Sequence, residues 1–150
     1  MNRFLVIGAT AAALTLGLSA AQPKGLPLNK LPPAVQKAIQ DESKGAEIKN
    51  ISKEIEHGVT QFEVETLLNG KHRDFNVDTK GSVLVVEEES TLDAFPAPAR
   101  TAILNKVADG KLGMVELVKK GAEITYEASY TAKNGKKHEV LVKADGTETK

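Results

Sequence analysis

The chain has 150 residues, with twenty Lys and Arg balanced by twenty Asp and Glu, no Cys, no Trp and only 4% aromatic residues. A net charge of zero offers no basic face to offset phosphate, which argues against nucleic acid as a partner. Without cysteine there is no disulfide staple and no lipid-modified N-terminal cysteine, so the fold must be held by packing.

The chain opens with Arg3, followed by an apolar run from Phe4 to Leu18 and small residues at Ser19, Ala20 and Ala21 ahead of the polar Gln22. A basic residue, an apolar core and a small-residue exit describe a secretory signal peptide over residues 1–21, with cleavage expected after Ala21. Phe4 to Ala21 is too short and too rich in Gly, Thr and Ala to favour an uncleaved membrane span, so no stable membrane insertion is expected after cleavage. The destination expected is periplasmic or secreted. Residues 22–30, containing Pro23, Gly25 and Pro27, read as a flexible leader.

Pro32 and Pro33 open a predicted helix, because a proline in the first turn loses no helical hydrogen bond. Val35, Ala38 and Ile39 form its apolar face, and Gly45 ends it. From Ala46 the period changes to two. Phe62, Val64, Thr66 and Leu68 are expected on one strand face, with Gln61, Glu63 and Glu65 on the other. Asn69-Gly70 predicts a tight hairpin turn. Arg73, Phe75 and Val77 alternate down the return strand, and Ser82 to Glu88 make a β-branched run.

Pro96 and Pro98 open a second helix through about Asp109, with Ala99, Ala102, Ile103 and Val107 as its apolar face. Strands are expected at about Gly113–Lys119, Glu123–Thr131 and Lys137–Lys143, and a short one near Thr147. Ile124, Tyr126, Ala128 and Tyr130 are assigned to the buried face of the middle strand, and Asn134-Gly135 to its turn. Glu63, Glu65, Thr125 and Glu127 fall on the opposite, wet face.

The two halves share a plan. Leu31 to Val35 answers to Phe95 to Ala99, Ala38-Ile39 to Ala102-Ile103 and Phe62-Glu63 to Tyr126-Glu127, all 64 residues apart, while Asn69-Gly70-Lys71, Val77 and Gly81 recur 65 residues later at Asn134-Gly135-Lys136, Val142 and Gly146. Self-similarity of this kind signals a duplicated supersecondary unit. The fold class expected is therefore α+β, in two tandem α-β-β-β(β) repeats over residues 31–90 and 91–150, each a helix packed on one face of an antiparallel sheet. Residues 22–92 carry a net charge of −3 and residues 93–150 a net charge of +2, an asymmetry better suited to a protein partner than to a membrane surface.

These proline-led helices, the Phe62-Glu63-Val64 strand core and the Asn69-Gly70-Lys71 turn into Phe75-Asn76-Val77-Asp78, together with their second copies, make the chain resemble the PepSY-like family of bacterial exported proteins. The resemblance covers nearly all of residues 30–150. It implies an architecture like that of β-lactamase inhibitor proteins and a role in inhibiting or modulating proteases. The chain departs from that setting in carrying no peptidase domain and no disulfide.

The residues give no catalytic constellation. His72 and His138 occupy nearly the same place in the two copies, but neither has a second ligand at metal-binding spacing. His57, beside Gly58, reads as a turn residue. Glu87-Glu88-Glu89 reads as the solvated end of a strand, and Lys119-Lys120 and Lys136-Lys137 as solvated pairs. Glu63 and Glu65 share a strand face, yet a wet face would not separate their pKa values for acid and base work. Tyr126 and Tyr130 are assigned to packing. No catalytic, cofactor-binding or metal residue is assigned, and no cofactor. The function expected is that of a non-catalytic binding module docking an exported protein, a peptidase included, through the sheet face or an edge strand; the alternative is a small-ligand or metal-binding envelope protein.

Overall fold

The computed structural model describes residues 25–149 except residue 57; the expected signal peptide, residues 22–24 of the leader and His57 lie outside the described residues. Helix α1 (Pro33–Glu42) begins at the expected Pro pair and is followed by strands β1 (Glu47–Glu56), β2 (Val59–Leu68), β3 (Lys71–Asp78) and β4 (Val83–Glu89). Helix α2 (Ala97–Val107) then precedes β5 (Lys111–Lys120), β6 (Glu123–Thr131) and β7 (Lys137–Val142). At the β2–β3 turn, Asn69 and Gly70 both take positive φ, 53° and 81°, as a tight hairpin requires. The β6–β7 turn is longer: Ala132 N–H donates to the Lys136 carbonyl, and Gly135 takes φ 78°.

The expectation of two tandem helix-plus-sheet units of an α+β protein is overturned. All seven strands form one antiparallel sheet in the order β1-β2-β3-β4-β5-β6-β7, and strand accounts for 49% against 22% helix, a mostly β architecture. The join is the ladder between β4 and β5, which pairs Val86 with Lys119, Glu87 with Val118, Glu88 with Leu117 and Glu89 with Glu116. Two separate sheets would leave β4 and β5 as edges with unpaired N–H and C=O groups; pairing them with each other satisfies both rows.

Register places both helices on one side. Under α1, Val35, Ile39, Ile51, Phe62, Val64, Phe75 and Val77 form one buried cluster. Under α2, Phe95, Ala99, Ile103, Val107, Val115, Ala128, Val140 and Val142 form another. Between them lies a polar bridge on the same face: Arg73 reaches Glu42 at the end of α1 and Glu88 (Nε to Oε1 3.3 Å), and Lys119 Nζ donates to Glu88 Oε2 at 2.7 Å. The Glu87 to Glu89 run is thus not a solvated strand end. It sits mid-sheet, because β4 has a partner on each side.

Candidate functional site

The sheet's other face carries no helix. Because directly opposed residues share a face, the register lists its occupants: Ser52, Glu63 and Asn76 in one row, Asp74, Glu87, Val118 and Thr125 in the next, and Glu89, Glu116, Glu127 and Leu141 in a third. Glu65 lies opposite Asn50, and Glu139 opposite Ser129. Carboxylates therefore run from β2 to β7, about 24 Å at the usual strand spacing.

Its centre is not wet. Glu116 keeps 5% of its surface exposed, Glu127 6%, Thr125 6% and Val118 4%. On the β1–β3 side the carboxylates have donors. Ser52 Oγ donates to Glu63 Oε2 at 3.2 Å, Asn50 Nδ2 to Glu65 Oε1 at 3.1 Å and Thr66 N–H to Asp74 Oδ1 at 2.8 Å. The His72 N–H donates to Glu89 Oε2 at 2.9 Å. At the centre, Glu87, Glu116 and Glu127 have neither a hydrogen-bond donor nor an ion-pair partner among the described residues, and Glu87 Oε1 is shielded from solvent as well.

Burial without a counter-ion disfavours the charged form. Desolvation, then repulsion from Glu127 and Glu116, pushes Glu87 up to about 9. Desolvation, then the Glu139 and Glu116 charges, raises Glu127 to about 8, and desolvation followed by Asp74 raises Glu116 to about 7. Glu63 is raised to about 7 by burial and by Glu54. Asp74 and Glu139 are also raised, burial being the main cause in both. The sequence reading of this face as an ordinary wet surface therefore gives way to one of protonated or strained carboxylates.

His72 and His138, which only the alternative small-ligand or metal reading would bring to a shared site, are not brought together. His72 lies on the helix-free face, with Nδ1 4.0 Å from Asp74 Oδ2. His138 lies on the helix side of β7, stacked on Tyr130 at 5.3 Å between ring centroids. The two are four strands and one sheet thickness apart. Among the described residues no group of three or more His, Asp or Glu could hold a metal ion. Tyr126, half-buried, packs against Phe95 at 4.8 Å at the margin of the α2 cluster, whereas Ile124, assigned to the same buried face, is 47% exposed.

An antiparallel meander of this order, with two helices on one face, has known counterparts. A protein of Bacteroides eggerthii named as periplasmic superposes with a TM-score of 0.64 at 18% identity, covering 80% of this chain and 86% of that one. A DUF2874 family protein from Bacteroides uniformis gives 0.63 at 16% identity, over 79% and 86%. A BLIP-like protein from Bacteroides fragilis gives 0.57 at 19% identity, over 83% and 85%. The likeness is one of fold. No family model and no curated protein matches the sequence. None of these names is that of an enzyme, and among the described residues no helix is long and apolar enough to cross a membrane.

Glu116 and Glu87 are the site residues that the sequence reading missed. A signal existed for the first: Val115-Glu116-Leu117-Val118 is apolar on both sides of the glutamate, the pattern of a strand buried on both faces. Glu87 gave none, because its burial depends on β5, which follows a helix and 21 residues of chain after β4.

Proposed function

We propose that this chain is an exported, non-catalytic binding module that docks another envelope protein on the helix-free face of its sheet. One observation carries the reading: the carboxylates without partners among the described residues, Glu116 and Glu127 buried and Glu87 half-buried, all lie on the one face that no helix covers. An acid–base enzyme would instead pair such groups with a proton donor or a nucleophile in a pocket. The edge strand β1 is a poorer docking element. Lys49, Lys53, Glu47 and Glu54 lie along it, and charges on an edge discourage strand addition.

The signal-like residues 1–21 and the periplasmic naming of a similar fold support export to the envelope. The PepSY-like resemblance favours a peptidase as the docked protein, with modulation of its activity as the outcome. Photo-crosslinking amino acids placed at Val85 and Ser129 on the helix-free face, and at Arg100 and Leu104 on α2, test the reading. Adducts to a discrete protein are expected from the first pair alone. Equal adducts from both pairs, or none from the sheet positions, would rule it out.

A further inference from the structure

We propose that the segment received by this face is rich in lysine and arginine, its cationic side chains meeting Glu87, Glu116 and Glu127 across strands β4 to β6. The inference rests on the docking reading above and adds the chemistry of the partner.

Three observations converge on it. Glu116 and Glu127 are directly opposed on adjacent strands, 5% and 6% exposed, with no hydrogen-bond donor or ion-pair partner among the described residues; the one opposing charge acting on Glu116 is that of His72 when protonated. Once ionised, the two set like charges against each other across the ladder, and each is a buried carboxylate without a partner. Such an arrangement is relieved by an incoming cation, most effectively by guanidinium, whose fork matches a carboxylate. Secondly, the oxygens of Glu116 and Glu127 are not among the fully shielded unpartnered atoms, so a side chain arriving from the open side can reach them. Thirdly, Asp74, Glu63 and Glu139 continue the acidic track on either side over about 24 Å, a length that matches an extended segment bearing several cations.

A single metal ion fits less well, because no three potential ligands converge among the described residues. Nucleic acid and anionic membrane are repelled by the sign of the charge.

The test uses the purified protein and a fluorescent peptide of alternating lysine and alanine, followed by anisotropy. Its glutamate counterpart, spermine and calcium chloride are run beside it. Saturable binding of the lysine peptide is expected at about 20 mM NaCl, weakening severalfold by about 500 mM as screening shortens the Debye length. E87Q/E116Q/E127Q should lose about tenfold or more in affinity, as expected when a desolvated charge pair is removed. The control D93N/D109N, at exposed positions off the face, should bind as the parent does. A second variant, E63Q/E139Q, should lose less. Thermal melts of all variants establish that each is folded. The proposal is overturned if the lysine peptide does not bind at low salt, or if the triple variant binds it unchanged. It is equally overturned if spermine or calcium saturates the face with the same or better affinity, since the occupant would then be a small cation. None of these outcomes touches the crosslink map, so the docking reading fails only by its own test.

Discussion

Glu116 on β5 and Glu127 on β6 stand directly opposite each other, both nine-tenths buried, with no cation between them among the described residues. Burial is the main cost of ionising either of them; Glu116 adds to the cost at Glu127, and both add to it at Glu87. A face kept for stability alone would carry valine or threonine here, as it does one row away at Val118 and Thr125. E116Q/E127Q should therefore stabilise the free protein. The gain expected at about pH 8 is about 1–3 kcal/mol, the scale of two raised carboxylates ionising in a desolvated site. Urea unfolding of parent and variant checks it; a loss of stability would show that these carboxylates support the fold.

The same groups set a pH dependence opposite to that of an ordinary acidic protein. Glu63, Glu116, Glu127 and Glu87 are raised to about 7, 7, 8 and 9 from 4.5. Between 4.5 and those values the folded state holds protons that the unfolded chain has released, so stability falls as pH rises. The groups facing them are the carboxylates Glu54, Asp74, Glu89 and Glu139, with His72 the opposing cation when protonated. The melting temperature should be highest near about pH 5 and drop by several degrees by about pH 9. In E87Q/E116Q/E127Q the slope should flatten. A melting temperature that rises from pH 5 to 9 would contradict the assignment.

How much of this was legible in the sequence follows from the range of the interactions involved. The helices, the Asn69-Gly70 turn and the alternation of Phe62, Val64 and Thr66 depend on neighbours within a few residues, and periodicity exposes them. The β4–β5 ladder is non-local, since α2 lies between the two strands. The duplication left open whether the copies share one continuous sheet, because nothing in Val83–Glu89 or Lys111–Lys120 says which strand each will pair with. The acidic face failed to emerge for the same reason. Glu63 and Glu127 were visible as outward residues of their own strands, but the row Glu89, Glu116, Glu127 exists only once β4, β5 and β6 are in register.

Arg73 is the cation that the helix side does supply, and it does so at the seam between the two apolar clusters. Its Nη1 donates to the Glu42 carbonyl at 3.2 Å, its Nη2 pairs with the Glu42 carboxylate, and its Nε faces Glu88 at 3.3 Å. With 18% of its side chain exposed, it couples the last turn of α1 to β3 and β4. Arg73→Ala should cost about 2–4 kcal/mol, because Glu42 loses its cation and Glu88 is left with Lys119 alone. Arg73→Lys, a point charge that cannot reproduce the fork, should recover less than half. Denaturant midpoints of the three proteins decide this.

Gly81 and Gly146 close the turns beneath the first turns of α1 and α2. Their φ values are 88° and 85°, and an added Cβ would lie 2.6 Å from the Ala34 carbonyl oxygen and 2.8 Å from that of Pro98. Gly70, at φ 81°, has nothing within 4 Å of the same position. Gly70→Ala should therefore cost only the conformational penalty of about 1 kcal/mol, while Gly81→Ala and Gly146→Ala should cost about 2–4 kcal/mol because the helix start must also move. Equal losses at all three positions in thermal unfolding would show that the helix contact adds nothing.

The joined sheet predicts how the molecule unfolds. If β4 and β5 merely touched, the cluster under α1 and the cluster under α2 would melt independently. The ladder from Val86–Lys119 to Glu89–Glu116, the Glu88–Lys119 pair and the acidic face that spans the seam instead make each half an edge for the other. A single transition is expected, with calorimetric and van't Hoff enthalpies in agreement. Leu117→Pro removes an N–H and forces the backbone out of register in the middle of this ladder. In that variant the transition should split or broaden.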